Sequence, residues 1–311
     1  MAQSQFRYVC AHDIHEDSPV HRTLFDLWKS VESETGGQLA VEVLGWGRAG
    51  RTPVMLKKLR ENEVQFHPIS GIPLSSIVPV SAIECLPYAY QTPDEAFRVL
   101  DGALGNHVRA EINAKGLHVF QHIWPQGYQQ ITSRTRRIES AADFEDMRIR
   151  IAHADFMADL YGSLGAVPIR IHLQDIRPLL EKGEVDGVDM APRSIELQRH
   201  YDFAKYLVNA DIRWASFWMC ANQDAWRALP NAVRDVVERA HVKFAPIARR
   251  AILGENEAAL TRLRAQGLEF LSPDRDSIRQ RLSANGFYRR WRSIFGERAW
   301  QILEEMRGPL S

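Results

Sequence analysis

The sequence lacks any long apolar run and any excess of charge of one sign. No stretch approaches the roughly 18 consecutive apolar residues of a membrane-spanning helix, so we expect no transmembrane segment. Lysine plus arginine and aspartate plus glutamate both number 39, which makes the chain formally neutral. This balance argues against nucleic acid or an anionic membrane surface as the partner. A small molecule or another protein is therefore the expected partner.

Cysteine is scarce, and its three copies, Cys10, Cys85 and Cys220, lie far apart. An odd number at such wide spacing argues against a disulfide framework and against a cysteine-based zinc site. Free cysteine behaves as a small apolar side chain and is among the most buried residue types. We therefore expect all three cysteines to be buried.

The length and the order of the predicted elements indicate an α/β protein with two lobes. A chain of 311 residues exceeds what one hydrophobic core usually organises. Strand-like runs alternate with helical runs from 6 to 69 and again from 148 to 190, an order typical of parallel sheets flanked by helices. Two such units predict a cleft between them.

Several predicted helices have clear starting signals. Ser18 and Pro19 suit the N-cap and first position of a helix, and Thr52 and Pro53 repeat this chemistry before the next helix. A much longer helical pattern runs from 231 to about 266 and contains Pro246, which would bend it. Since a helix rises about 1.5 Å per residue, this one would reach over both lobes and brace them.

The segment Gly45-Trp46-Gly47-Arg48-Ala49-Gly50 matches the G-x-G-x-x-G fingerprint of dinucleotide-binding turns. However, it follows the second predicted strand, not the first, and no acidic residue for a ribose ends the third strand. Bulky Trp46 and Arg48 also crowd a backbone that must approach a pyrophosphate. We favour a plain strand-to-helix turn, and a nucleotide-cofactor oxidoreductase stays as an alternative from another functional class.

Other enzyme signals are weak. His12, His15 and His21 cluster near the N-terminus, but zinc proteases need H-E-x-x-H on one helix face, and Pro19 interrupts the segment between His15 and His21. The sequence has no G-x-S-x-G elbow and no G-x-x-x-x-G-K-[ST] loop. We therefore expect a protein that is not an enzyme and that holds no metal or cofactor.

Arg150 is the strongest candidate for ligand binding. In Met147-Arg148-Ile149-Arg150-Ile151, alternation places the arginines on one strand face and the apolar residues on the other. The carboxyl end of a strand in an open α/β sheet borders the ligand crevice. A planar guanidinium there can bind a carboxylate through two parallel hydrogen bonds, although a salt bridge within the protein is the alternative.

Further segments agree, in order, with one known family. They are the strand and polar loop at 6–21, Glu34-Thr35-Gly36-Gly37, Leu86-Pro87-Tyr88, Phe144-Glu145-Asp146-Met147-Arg148-Ile149-Arg150, Gly183-Glu184-Val185-Asp186-Gly187 and Trp226-Arg227-Ala228-Leu229-Pro230. Together they resemble the substrate-binding proteins of TRAP (tripartite ATP-independent periplasmic) transporters over nearly the whole chain. The segment that ends in Arg150 is similar to the family's "DLKGLKIR" pattern, whose last arginine binds the substrate carboxylate.

The resemblance implies a two-lobed periplasmic-binding-protein-like fold with crossing hinge strands, a long helix over both lobes and ligand capture by closure. It also implies a periplasmic monomer that delivers its ligand to a small and a large membrane subunit, driven by an ion gradient. Residues 1–5 lack the basic start and apolar run of a secretory leader, so we expect the leader to have been removed. We assign 1–124 and about 213–250 to lobe I, and 125–212 and about 251–311 to lobe II.

Three positions depart from the commonest pattern of the family. Gln129 stands where a second substrate arginine often lies, Met190 replaces an asparagine, and Leu173 replaces a ligand-packing aromatic. Aromatic residues near the expected cleft either line it or pack in a lobe core; they are Trp124, Tyr128, Trp214, Phe217 and Trp218. Polar contacts from the first lobe are expected from His12, His67 and Ser70.

The changes at Gln129 and Met190 remove partners for a second carboxylate or a polyol. The sequence therefore predicts a receptor for a small organic monocarboxylate, an aromatic or aliphatic oxo or hydroxy acid. A sugar-acid receptor of the same fold is the alternative, because Gln129 still donates and accepts hydrogen bonds. A sensor component with the same two lobes is a further alternative.

Overall fold

The alternating sequence pattern folds into two separate mixed sheets, each flanked by helices, in a computed structural model that describes residues 5–310. Residues 1–4, on which the expectation about the secretory leader rests, lie outside the described part. The strands are β1 (Phe6–Ala11), β2 (Leu39–Leu44), β3 (Phe66–Ser70), β4 (Leu117–Val119), β5 (Trp124–Tyr128), β6 (Gln130–Ser133), β7 (Arg148–Ile151), β8 (Val167–Arg170), β9 (Gly187–Met190), β10 (Tyr206–Val208), β11 (Trp214–Asn222) and β12 (Glu269–Leu271).

The helices cover the faces of these sheets and form most of the C-terminal part. They are α1 (Pro19–Glu34), α2 (Thr52–Arg60), α3 (Gly71–Leu74), α4 (Pro93–Asp101), α5 (Ala103–Asn113), α6 (Asp155–Ser163), α7 (Ile176–Lys182), α8 (Pro192–Leu197), α9 (Gln223–Ala228), α10 (Asn231–Ala265), α11 (Arg275–Ala284), α12 (Phe287–Phe295) and α13 (Glu297–Arg307). Within residues 5–310, no helix combines the length and apolarity that crossing a membrane requires.

The two sheets define the two lobes. The first has the order β2-β1-β3-β11-β4, with β5 paired to β11, and the second has the order β12-β10-β6-β9-β7-β8. In the first sheet β1 runs parallel to β2 and β3, and in the second β7 runs parallel to β8 and β9. The predicted α/β class with parallel units is therefore confirmed, although both sheets also contain antiparallel strands.

The chain crosses between the lobes through paired segments. β5 of the first sheet passes through Gln129 into β6 of the second, and the return segment at 209–213 leads into β11. The Gln129 N–H donates to the Arg213 carbonyl at 2.9 Å, and β5 pairs with β11 just beyond. The two crossings therefore hydrogen-bond to each other, which confirms the predicted crossing strands.

The long helix α10 spans both lobes, as predicted. It packs on α1 and β5 near its start and middle and on α8 near its end. Its buried residues Val236 and Ile252 belong to the core of the first lobe, whereas Leu263 belongs to the core of the second. Pro246 lies inside the continuous helix. One rigid element therefore contacts both lobes.

The C-terminal helices contact elements of both lobes. α13 packs on α4 and α5, whereas α11 and α12 pack on α6. The lobe boundaries assigned from the sequence, including about 251–311 in lobe II, stay a prediction.

The helix-start predictions have different outcomes. The Ser18 hydroxyl accepts a hydrogen bond from the Val20 N–H at 3.3 Å, so Ser18 is the predicted N-cap of α1. For α2 the prediction is wrong, because Arg51 occupies the N-cap position and makes no side-chain capping bond. The Thr52 hydroxyl donates instead to the Asp13 carboxylate in the loop after β1. Thr52, the first residue of α2, therefore contacts the loop after β1 and does not cap the helix.

The three cysteines are buried and free, as predicted. Cys85 lies next to Glu84, a carboxyl group that is also fully buried. Glu84 accepts hydrogen bonds from the Gly71 N–H at 2.7 Å and from the Ser216 hydroxyl. Burial raises the pKa of Glu84 to about 7, because the low-dielectric interior disfavours the carboxylate.

The Glu84 carboxyl should make stability depend on pH. Between pH values near 4.5 and 7, the folded protein keeps a proton on Glu84 that the unfolded chain releases, so stability falls as the pH rises. Glu84→Gln, which mimics the protonated form, should reduce this loss of stability by up to about 3 kcal/mol. Urea unfolding at pH 5 and pH 8 measures the free energy of unfolding of both proteins.

The exposed Glu63→Gln variant is the matched control and should keep the wild-type pH dependence. If Glu84→Gln and wild type lose the same stability between the two pH values, Glu84 does not titrate in this range.

Candidate ligand-binding site

A cavity of about 360 Å³ lies between the two lobes, a size that suits a small-molecule ligand. Its walls come from the loop after β1, the end of β3, the ends of β7 and β9, and the crossing segments. Ile252 and Asn256 of α10 close one side. Strand ends from both lobes therefore meet at the same cavity, as the cleft prediction requires.

Three arginines line the described part of the cavity, and two of them are neutralised. Arg193 pairs with Glu196 at 2.5 Å. Arg213 donates from Nε to the Asp189 carboxylate at 2.7 Å, and both side chains are buried. Since each of these cations already has a carboxylate partner, neither offers a free charge to a ligand.

Arg150 is the third arginine, and it has no carboxylate partner among residues 5–310. It lies near the carboxyl end of β7, between β8 and β9. Its Nε donates to the Ile171 carbonyl at 2.9 Å, which fixes the guanidinium plane and leaves the terminal nitrogens without a protein partner in the described chain. Burial lowers the pKa of Arg150 to about 10, so the side chain still carries its charge at neutral pH.

The wall from the first lobe offers hydrogen-bond acceptors. Asp13 lines the cavity, and its carboxylate accepts a hydrogen bond from the Thr52 hydroxyl. His67 is buried, and its Nδ1 donates to the Ala11 carbonyl at 2.7 Å, so the neutral ring keeps only a lone pair at Nε2. Burial lowers the pKa of His67, which favours this neutral form. The Ser70 hydroxyl caps no helix and also lines the cavity.

The structure brings seven of the twelve sequence-predicted site residues into the cavity wall. They are Arg150, Gln129, Met190, Leu173, Phe217, His67 and Ser70. Gln129 donates to the Gly127 carbonyl at 2.9 Å, and the Met190 sulfur accepts from the Gln198 amide. Contact between any of these side chains and a ligand stays a prediction.

Two predicted aromatics on β11 lie outside the cavity because side chains alternate along a strand. Arg213, Ala215 and Phe217 line the cavity, whereas Trp214 and Trp218 point away from it. The Trp214 ring packs edge-on against Tyr128. The Trp218 ring lies 5.9 Å from the Arg109 guanidinium carbon inside the first lobe.

Three further predicted residues also lie away from the cavity. Trp124 is fully buried in the core of the first lobe. The Tyr128 hydroxyl donates to the Tyr90 carbonyl at 3.0 Å. His12 is fully buried, and burial lowers its pKa to about 3. These side chains support the walls of the site without lining it.

The histidine cluster is a hydrogen-bonded support for the loop after β1. The His12 Nδ1 accepts from the Ile14 N–H at 3.2 Å, so the His12 Nε2–H donates to the His21 Nδ1 at 3.0 Å. His15 instead packs on Trp46, with ring centroids 5.0 Å apart. Within residues 5–310, no three or more His, Cys, Asp or Glu side chains are grouped so that they could hold a metal ion.

The glycine-rich turn has backbone N–H groups that are already occupied. The Trp46 N–H donates to the Ile14 carbonyl at 2.9 Å, and the Gly47 N–H donates to the His12 carbonyl at 3.2 Å. A dinucleotide-binding turn needs such N–H groups for the pyrophosphate. The turn instead holds the β1 loop in place, which argues against the oxidoreductase alternative.

Sequence reasoning missed Asp13, Asp189 and Arg213 as cavity residues. Arg213 had one available signal, because alternation from Phe217 back along the strand reaches Ala215 and Arg213 on the same face. Asp13 and Asp189 had none, since their exposure to the cavity depends on how distant segments pack.

Comparisons with known proteins identify the family of this chain. The family model DctP, described as bacterial extracellular solute-binding protein, family 7, matches residues 10–285. The C4-dicarboxylate-binding periplasmic protein DctP of Rhodobacter capsulatus is 22% identical over 293 residues, which cover 88% of this chain and 86% of that protein.

Solved structures with the same fold hold sugar acids. The sugar acid binding protein DctPAm of Advenella mimigardefordensis, in complex with galactonate, superimposes with a TM-score of 0.93 at 20% identity and covers 100% of both chains. A TRAP periplasmic solute-binding protein of Sulfitobacter with bound β-D-galacturonate gives 0.91 at 18% identity, covering 97% of this chain and 100% of that one. Because the family match covers most of the sequence, the chain belongs to the DctP family of periplasmic solute receptors of TRAP transporters that the sequence predicts.

Proposed function

We propose that this receptor binds a small organic monocarboxylate through Arg150 and delivers it to the membrane subunits of a TRAP transporter. The observation that carries the proposal is the single arginine of the described cavity wall that lacks a carboxylate partner. A buried guanidinium without a counter-ion is costly, and a ligand carboxylate supplies that counter-ion through two parallel hydrogen bonds.

The charges of the wall support one ligand carboxylate and not two. Arg193 and Arg213 are occupied by Glu196 and Asp189. Gln129 is neutral and already donates within the protein. A second carboxylate would therefore meet no free arginine in the described wall, and burying it without a partner would cost at least about 1 to 3 kcal/mol.

The rest of the wall supports two kinds of ligand body. Phe217, Ile171, Leu173 and Met190 offer apolar and polarizable surface, which suits an oxo or hydroxy acid with an aliphatic or aromatic body. A sugar acid is the second candidate, because Asp13, His67 and Ser70 place polar atoms on the opposite wall. The relatives that hold galactonate and galacturonate have the same fold.

Closure of the lobes around the crossing segments is part of this proposal. Arg51 of the first lobe pairs with Asp175 of the second at 2.7 Å beside the cavity. Gly47, in the left-handed region at φ +71°, leaves room for the Gln174 amide, which would lie 2.9 Å from a Cβ at this position. We therefore infer that the glycine-rich turn allows the second lobe to approach the first.

Arg150→Ala should weaken binding by about 2 to 5 kcal/mol, because it removes one side of a desolvated charge pair. Arg150→Lys should also weaken binding, though less, since lysine keeps the charge and loses the planar fork. A thermal-shift panel of oxo acids, hydroxy acids, uronates and dicarboxylates identifies the wild-type ligand, and calorimetry then measures both variants.

The matched control is Arg148→Lys, on the same strand but exposed and paired with Asp186. It should bind the ligand like wild type. Full affinity in Arg150→Ala would contradict the role of Arg150, and a panel in which only dicarboxylates stabilise the protein would contradict the monocarboxylate class.

Saturating ligand should lower the radius of gyration in small-angle scattering, because a ligand held by both lobes shifts the population towards the closed form. Arg150→Ala at the same ligand concentration is the control and should show no compaction. An unchanged radius of gyration in saturated wild type would exclude closure.

Asp175→Asn removes the Arg51–Asp175 ion pair between the lobes. It should weaken ligand affinity by no more than about fivefold, since exposed ion pairs contribute roughly 0 to 1 kcal/mol.

A further inference from the structure

The two walls of the cavity carry opposite charges that the protein does not pair. Arg150, from the second lobe, has no carboxylate partner among residues 5–310. Asp13, from the first lobe, forms no salt bridge with any lysine or arginine in the same described range and receives only the Thr52 hydroxyl. Both side chains line the same cavity, and they form no ion pair with each other. A ligand in this cavity therefore meets an anion on one wall and a cation on the other.

The position of Asp13 is fixed by its neighbours in the chain. The His12 N–H donates to the Leu44 carbonyl at 2.9 Å, and the His12 ring accepts the Ile14 N–H. The His12 carbonyl accepts a hydrogen bond from the Gly47 N–H, and the Ile14 carbonyl accepts one from the Trp46 N–H. The residues on both sides of Asp13 are thus held by backbone hydrogen bonds, so its carboxylate is preorganised.

The chemistry of Asp13 restricts what the ligand can present to it. The Asp13 carboxylate accepts a hydrogen bond from the Thr52 hydroxyl, and its remaining lone pairs can also only accept hydrogen bonds. The His67 Nε2 on the same wall also has only a lone pair, since Nδ1 carries the proton. A ligand oxygen without hydrogen would meet no donor from these two groups, and a ligand carboxylate would be repelled.

We propose that Asp13 is a specificity-determining residue, which selects those carboxylates bound by Arg150 that carry a hydroxyl or ammonium group towards the first lobe. This inference rests on the proposed carboxylate contact of Arg150. It adds that the ligand group facing Asp13 must donate a hydrogen bond, so hydroxy acids, sugar acids and amino acids are favoured over dicarboxylates of the same length.

Matched ligand pairs test this selection by calorimetry. Galactonate and galactarate share one carbon chain and differ at a terminal hydroxymethyl or carboxylate group. The shorter set 4-hydroxybutyrate, 4-aminobutyrate and succinate separates a hydroxyl from an ammonium donor. Asp13→Asn should reduce the preference for the donor-bearing member by about 10- to 100-fold, because hydrogen bonds to charged groups are the strong ones.

Asp17→Asn, in the same loop but exposed and outside the cavity wall, is the matched control and should keep the wild-type preference. An unchanged ratio between paired ligands in Asp13→Asn would overturn the inference, as would a wild-type protein that prefers galactarate and succinate. Arg150→Ala separates the two proposals, because it should weaken all five ligands alike. If it weakens none, the carboxylate contact fails, while the Asp13 ratio still reports on selection.

Discussion

The charge of the cavity wall depends on the buried ion pair between Arg213 and Asp189. It joins the returning crossing segment to β9 of the second sheet with an Nε to oxygen distance of 2.7 Å. Removing one member of a buried pair leaves an uncompensated charge that costs several kcal/mol. With both members present, the pair is neutral, and Arg150 is left as the unpaired cation of the described wall.

The local features of the fold follow well from the sequence. The N-cap at Ser18 and the long helix over both lobes are as predicted, because caps and helical periodicity are local signals. Pro125, the first residue of lobe II in the sequence assignment, lies inside β5. This strand pairs only with β11 in the described sheet, so a proline that cannot donate a backbone hydrogen bond is tolerated there.

The site was less predictable than the fold. Arg150 could be found, since strand alternation and the family resemblance both point to it. Only some of the predicted aromatics line the cavity, because Trp214, Phe217 and Trp218 cannot all face one side of a strand. Asp13 and its partner Thr52 are 39 residues apart, and Arg213 and Asp189 are 24 apart. No local pattern shows that these pairs meet, so only the packed structure shows which charges stay free.

Under the proposed closure, the same free charges connect recognition with the movement of the lobes. In an open cleft, water would solvate both Arg150 and Asp13. Bringing the lobes together removes that water, and the guanidinium is then buried with only the Ile171 carbonyl as protein partner among the described residues. The cost of this desolvation disfavours the closed form without ligand. A ligand that neutralises Arg150 on one side and donates to Asp13 on the other offsets both costs, and its differential affinity for the closed form shifts the population. A ligand that satisfies one wall alone would leave the other charge unpaired, so in this proposal the arrangement that selects the ligand also controls whether the lobes close.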